Sequence, residues 1–151
     1  MSRAYIVPQF VEYIPEHLEE GVLYISQKYG TATHKCCCGC GEEVVTPLNP
    51  TDWSLKIEGN LATLDPSIGN WSFACRSHYW IRRGRVIWAA SMTQRQIDRI
   101  RAFDRANKVA YFRAKNQKKV VSTPAPQAGS VHTGSPGFLT LLWRSLKRLL
   151  K

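Results

Sequence analysis

The sequence predicts an α+β fold: a small, mainly-β domain pinned through a cluster of thiols and followed by one long helix. Three observations predict it. Up to residue 90, runs rich in β-branched and aromatic residues alternate with turn-forming ones. Four of the five cysteines fall within residues 36–40 and the fifth is Cys75, so a late segment can be tied back to one tight turn. From Ser91 the apolar period changes from that of a strand to that of a helix.

Taken in order, "AYIVPQFVEYI" (4–14) and "GVLYIS" (21–26) read as two strands joined by the polar "PEHLEEG". The knuckle "HKCCCGCGEE" (34–43) comes next. It is followed by "EVVTPL" (43–48), by "WSLKIEGNLATL" (53–64) turning at Gly59-Asn60, and by "HYWIRRGRVIWAA" (78–90) turning near Arg83-Gly84. Thr93 precedes Gln96 by three residues, a capping-box spacing, and Ile97, Ile100, Phe103 and Val109 recur at near-helical intervals, which predicts one helix of up to about 25 residues. The expected domains are a β-rich zinc-binding domain at 1–90, a basic helix packed on it or extending from it at 91–120, a flexible linker at 121–137 and an amphipathic basic helix at 138–151. On that last helix Leu139, Leu142, Trp143, Leu146, Leu149 and Leu150 share a face, opposite Arg144, Lys147, Arg148 and Lys151. Such a helix suits peripheral membrane contact or docking into an apolar groove.

The net charge of +10 is unevenly spread: residues 1–81 carry five Lys/Arg against nine Asp/Glu, residues 82–119 twelve against two, and residues 120–151 four against none. No run of about 18 apolar residues occurs, which excludes a spanning helix. Residues 1–10 are too mixed to direct export, so the expected compartment is the reducing cytoplasm, where clustered cysteines signal metal or a reactive thiol rather than disulfides.

Zinc takes four tetrahedral ligands, and a glycine-rich turn lets thiolates from one short segment converge. Cys36, Cys38 and Cys40 with Cys75 make a closed, hence structural, set. A rival set replaces one thiolate by His78, since Cys75-x-x-His78 is also a ligand spacing; Cys37 is ambiguous in either. For nucleophilic catalysis, a hydroxyl must reach an imidazole. Ser77 and His78 are sequence neighbours and would face opposite sides of a strand. Ser67, in a turn after Pro66, is therefore the better partner, although a turn serine is more often a loop residue and a histidine among aromatics more often merely packed.

The ordered set "CCCGCGEEVV", "PSIGNW" and "CRSHYWIRRGRVIW" resembles a bacterial family of small zinc-binding proteins over about residues 20–90. Its members occur in Bub-type operons that encode ubiquitin-like proteins with E1-like and E2-like conjugation enzymes. The resemblance implies a serine peptidase with a Ser-His dyad that processes or deconjugates the ubiquitin-like protein, in a pathway linked to phage defence. Residue by residue it implies structural zinc on Cys36, Cys38, Cys40 and Cys75 and leaves His78 for the dyad, with Ser67 as nucleophile. Relatives commonly read Cys-Pro-Cys-Gly-Cys where this chain has Cys37. His34 lies outside the matched motif and is a secondary candidate. Implied partners are the ubiquitin-like protein, its conjugates and the E1-like and E2-like enzymes. Two other classes compete: a non-catalytic zinc-knuckle adaptor or ligase-like module, and, ranked last, a nucleic-acid binder using the basic helix. Neither explains the matched serine and histidine.

Overall fold

The computed structural model describes residues 1–122, with side chains to residue 118. Eight strands precede one helix: β1 Val7–Phe10, β2 Val22–Ser26, β3 Thr31–Lys35, β4 Glu43–Pro47, β5 Ser54–Glu58, β6 Leu61–Gly69, β7 His78–Arg82, β8 Arg85–Trp88 and α1 Gln94–Ser122. They form two four-stranded sheets, ordered β1-β2-β3-β4 and β5-β6-β7-β8. Only the β1–β2 pairing is parallel. Bridges join the two sheets at both margins, Leu48 to Trp53 and Tyr5 to Arg85, leaving little free edge.

The apolar residues that alternate along these strands meet between the sheets. Leu23 and Ile25 of β2, Ala32 of β3, Val44 of β4, Ala62, Leu64 and Ile68 of β6, and Tyr79 and Ile81 of β7 make one core. In β4 the alternation is strict: Val44 and Thr46 are buried while Glu43, Val45 and Pro47 face out. The β7–β8 turn is two residues long, Arg83 and Gly84, both at positive φ, the geometry that matches the twist of a tight hairpin.

Two elements depart from the sequence expectation. Strand β3, "TATHK", was not expected, because it lacks an aliphatic alternation; it is a strand because β2 and β4 pair with both its edges. The segment at residue 67, expected as a turn, continues β6. The register of β6 on β7 slips between Leu64↔Ile81 and Ile68↔Tyr79, so Asp65, Pro66 and Ser67 bulge opposite Trp80. Proline has no N–H to give a ladder, and in a strand with neighbours on both sides a bulge is where it fits.

The helix opens with the expected capping box. Gln96 N–H donates to Thr93 Oγ1 at 3.4 Å, and Gln96 Oε1 accepts from Thr93 N–H at 2.8 Å. It runs 29 residues, past the expected start of the linker. Of the predicted apolar stripe only Ile97 is fully buried; Phe103 is 66% exposed and Val109 50%, and the helix meets the β domain through its first half, as far as the ion pair of Lys108 with Asp52. The rest of the expected linker and the C-terminal helix lie outside the described residues. No helix among the described residues is long and apolar enough to cross a membrane.

Candidate active site and metal centre

The knuckle follows β3. Cys36 N–H donates to Glu42 O at 2.8 Å and Gly39 N–H to Cys36 O at 3.0 Å, folding residues 36–42 into a tight loop. Gly39 sits at φ +84, and a Cβ there would lie 2.8 Å from the Met1 carbonyl oxygen, so both conformation and space demand glycine. The β6–β7 connection approaches from the other sheet. Asn70 N–H donates to Ser77 O at 2.9 Å, closing an excursion that presents Cys75 to the knuckle.

The Sγ atoms of Cys36, Cys38, Cys40 and Cys75 all lie within 4.8 Å of one another. Three separations are 3.4 Å (Cys36–Cys38), 4.0 Å (Cys36–Cys75) and 3.7 Å (Cys40–Cys75). Thiolates at about 2.3 Å around one ion form a tetrahedron with edges of about 3.8 Å. The cluster is therefore of a size to hold a metal ion. Without a cation, burial and the neighbouring sulfurs hold the Cys38 thiol above its ordinary range, and burial does the same at Cys40. At Cys75 burial acts upward too, but hydrogen bonding with Ser77, helped by Cys38 and Cys40, outweighs it and draws the thiol down to about 7.

Cys37 stands apart. It is buried in the core, and that burial pushes its thiol up to about 12. His34, the secondary candidate, is also in the core: its Nε2 lies 2.9 Å from Tyr79 Oη, and burial holds it down to about 4, hence neutral. Neither joins the cluster.

Ser77 and His78 diverge as their adjacency in an extended chain requires. Ser77 Oγ accepts from Asn70 Nδ2 at 2.9 Å and lies 3.1 Å from Cys36 Sγ and 3.5 Å from Cys75 Sγ, so it belongs to the sulfur cluster. His78 points the other way, and its Nε2 is 3.0 Å from Ser67 Oγ. Its Nδ1 is 3.3 Å from Ala90 O. A carbonyl oxygen can only accept, so this contact puts the proton on Nδ1 and leaves Nε2 with a lone pair for the Ser67 hydroxyl. His78 is 7% exposed, and the bulge is what turns Ser67 toward it.

Both residues line a cleft of about 390 Å³. Pro66, Gly69 and Trp71 form the wall beside them, Thr51, Asp52 and Trp53 another, and Met92 with Ile100, Arg101, Asp104 and Lys108 of α1 a third. Asp52 pairs with Lys108 and accepts from Asn49 Nδ2 at 2.8 Å. Burial pushes the Asp52 carboxyl up, yet these bonds outweigh it and hold it below the usual carboxylate range. Asp65, the other sequence candidate for a third member, is on the bulge, and the acceptor at His78 Nδ1 is the Ala90 carbonyl, not a carboxylate. Sequence reasoning missed the α1 wall and the Ala90 carbonyl, and only the capping box at Thr93 hinted that a helix begins this close to β8.

A hydroxyl within hydrogen-bond reach of an imidazole in a cleft is an arrangement that serine hydrolases use, and the four cysteines nearby lie close enough together to hold a metal ion. The model of one family, the bacterial ubiquitination-like system serine protease (BubE), matches residues 10–89, and the chain belongs to that family. That span contains Ser67, His78 and all four clustered cysteines. No curated protein and no solved structure matches the chain.

Proposed function

We propose that the chain is a peptidase in which Ser67 and His78 form the catalytic dyad, acting on the C-terminal tail of a bacterial ubiquitin-like protein, in its precursor or in its conjugates. The observation that carries this reading is the 3.0 Å contact between Ser67 Oγ and His78 Nε2 inside a cleft. His78 takes the hydroxyl proton as Ser67 attacks the scissile carbonyl. The tetrahedral adduct collapses to an acyl-enzyme as His78 gives that proton to the leaving amine, a lysine side chain or a peptide nitrogen. His78 then takes a proton from water, which attacks the ester and restores Ser67. The Ala90 carbonyl keeps the proton on Nδ1 throughout, the orienting part that a carboxylate plays in a triad.

Zinc is the ion we assign to Cys36, Cys38, Cys40 and Cys75. An all-thiolate tetrahedral set of this size suits it, and four protein ligands leave no open position for substrate. When bound, it supplies cross-linking and charge neutralisation rather than Lewis-acid chemistry. Reduced thiolates of this kind fit the cytoplasm, the compartment this reading assigns to the reaction. The E1-like and E2-like enzymes of the same operons are the further partners it implies.

The test is incubation of the purified chain with ubiquitin-like precursors and conjugates from such an operon, alongside Ser67→Ala. Release of the mature tail by the wild type and not by the variant is the expected result. Undiminished cleavage by the variant would move the nucleophile elsewhere, and an adaptor role would show as partner binding with no cleavage by either protein.

A further inference from the structure

His78 lies between two indoles. Its ring centroid is 4.9 Å from that of Trp71, at an interplanar angle of 58°, and 5.6 Å from that of Trp80, at 38°. Trp80 is two residues along the same strand and faces the same way. Trp71 is held there by a special contact: a Cβ on Gly69 would fall 2.4 Å from Trp71 Cε2 and Nε1, so the indole folds back over β6 only because residue 69 has no side chain. The two rings do not have equal freedom. The Arg82 guanidinium already lies over Trp80, 5.6 Å from its centroid.

Among the described residues no carboxylate bonds to His78. Its Nδ1 partner is the Ala90 carbonyl, and the charged groups of the cleft are Asp52, Arg101, Asp104 and Lys108, of which Asp52 is engaged by Lys108. Yet the imidazole becomes a cation each time it takes a proton from Ser67. A cation over an indole face and within about 6 Å of its centroid is attracted by the ring's quadrupole, and the 4.9 Å between the His78 and Trp71 centroids is inside that range. We propose that Trp71 is a positioning residue for the reaction, holding the His78 ring against Ser67 and stabilising the imidazolium that forms there. It supplies part of the electrostatic support that a triad takes from its acid. This inference rests on the Ser67–His78 dyad.

A fluorophosphonate probe tests it without needing the natural substrate. Ser67 Oγ attacks phosphorus, fluoride leaves, and a phosphonyl ester remains that mass spectrometry locates. Labelling rates are compared for wild type, Trp71→Phe, Trp71→Leu and Gly69→Ala, with metal content and thermal melting as controls on folding. Loss of the indole face in Trp71→Leu should slow labelling roughly 3- to 30-fold. Trp71→Phe should keep a rate within about threefold, since a smaller aromatic face remains. Gly69→Ala, which displaces the indole while replacing neither member of the dyad, should resemble Trp71→Leu.

One further sign separates this role from mere packing. An imidazolium with less support forms at lower pH, so the acidic limb of the Trp71→Leu rate profile should move to lower pH by about 0.5 to 1 unit even as its plateau falls. Wild-type labelling in Trp71→Leu, or equal slowing by Phe and Leu with an unmoved acidic limb, would overturn the proposal and leave the dyad standing. Should Trp71→Leu fail to fold, the rate and acidic limb of Gly69→Ala decide by the same criteria. A folded, metal-loaded wild type that is never labelled on Ser67 would sink the dyad itself.

Discussion

Replacing Cys75 by serine should strip the metal and loosen the whole β domain. Cys75 is the one proposed ligand outside the knuckle, 39 residues from Cys36, so a metal held by the cluster would be a cross-link that closes a long loop. A cross-link over about 39 residues is worth about 4 kcal/mol in loop-closure entropy of the unfolded chain. A domain of this size has about 5–15 kcal/mol in all. At roughly 4–5 °C per kcal/mol for a folded unit of this size, the melting temperature should fall by about 15–20 °C. The three remaining thiols would sit close together with no fourth ligand to complete a tetrahedral set. Elemental analysis by mass spectrometry and circular-dichroism melting read the two effects, with Cys37→Ser as control, since Cys37 is buried but outside the cluster. A Cys75→Ser protein that keeps one zinc per chain and melts within about 3 °C of wild type would show that Cys75 does not close the site.

His78→Ala should retain its zinc and fold while slowing hydrolysis by about 10² to 10⁴, the range for loss of a general base; loss of zinc instead would make His78 a ligand. The Asp52 carboxyl is held below its ordinary value of 3.8, so the stability from its pairing with Lys108 is complete above that value and is lost as pH falls through the lower folded one. Acid titration followed by circular dichroism should show this loss in wild type, and Asp52→Asn should remove that component; an identical titration in the variant would count against the ion pair. Truncation after Ser122 should leave zinc content and labelling of Ser67 unchanged, because every residue assigned to the cluster, the dyad or the cleft lies at or before Lys108, and a tenfold loss of labelling would show that the removed segment takes part in the site.

Much of the site was legible because it depends on local rules. The opposite orientation of Ser77 and His78 follows from strand geometry, and the convergence of Cys36, Cys38 and Cys40 follows from a turn with Gly39. What escaped was set by pairing at a distance. "TATHK" has little strand character of its own and is ordered by neighbours on both edges. Ser67 read as a turn because Pro66 precedes it; the same proline is the signal for a bulge once strands are recognised on either side. Neither Ala90 as acceptor nor Arg101 and Lys108 as cleft wall has any signature in the chain, since both depend on where α1 leaves β8.

The spacing of the β6–β7 connection ties the two chemistries together. Within four residues it carries Cys75 and Ser77 against the sulfur cluster and then His78, turned the opposite way, against Ser67. Asn70 secures the other end of the connection, donating its backbone N–H to Ser77 O at 2.9 Å and its side-chain amide to Ser77 Oγ at 2.9 Å. A shift of the cluster therefore moves Ser77 directly and rotates or slides the start of β7, where His78 pairs in register with Gly69. Misplacement of a general base by about 1 Å can cost about 10²-fold in rate. Metal loss should then depress catalysis before it unfolds the domain, although no ligand faces the cleft.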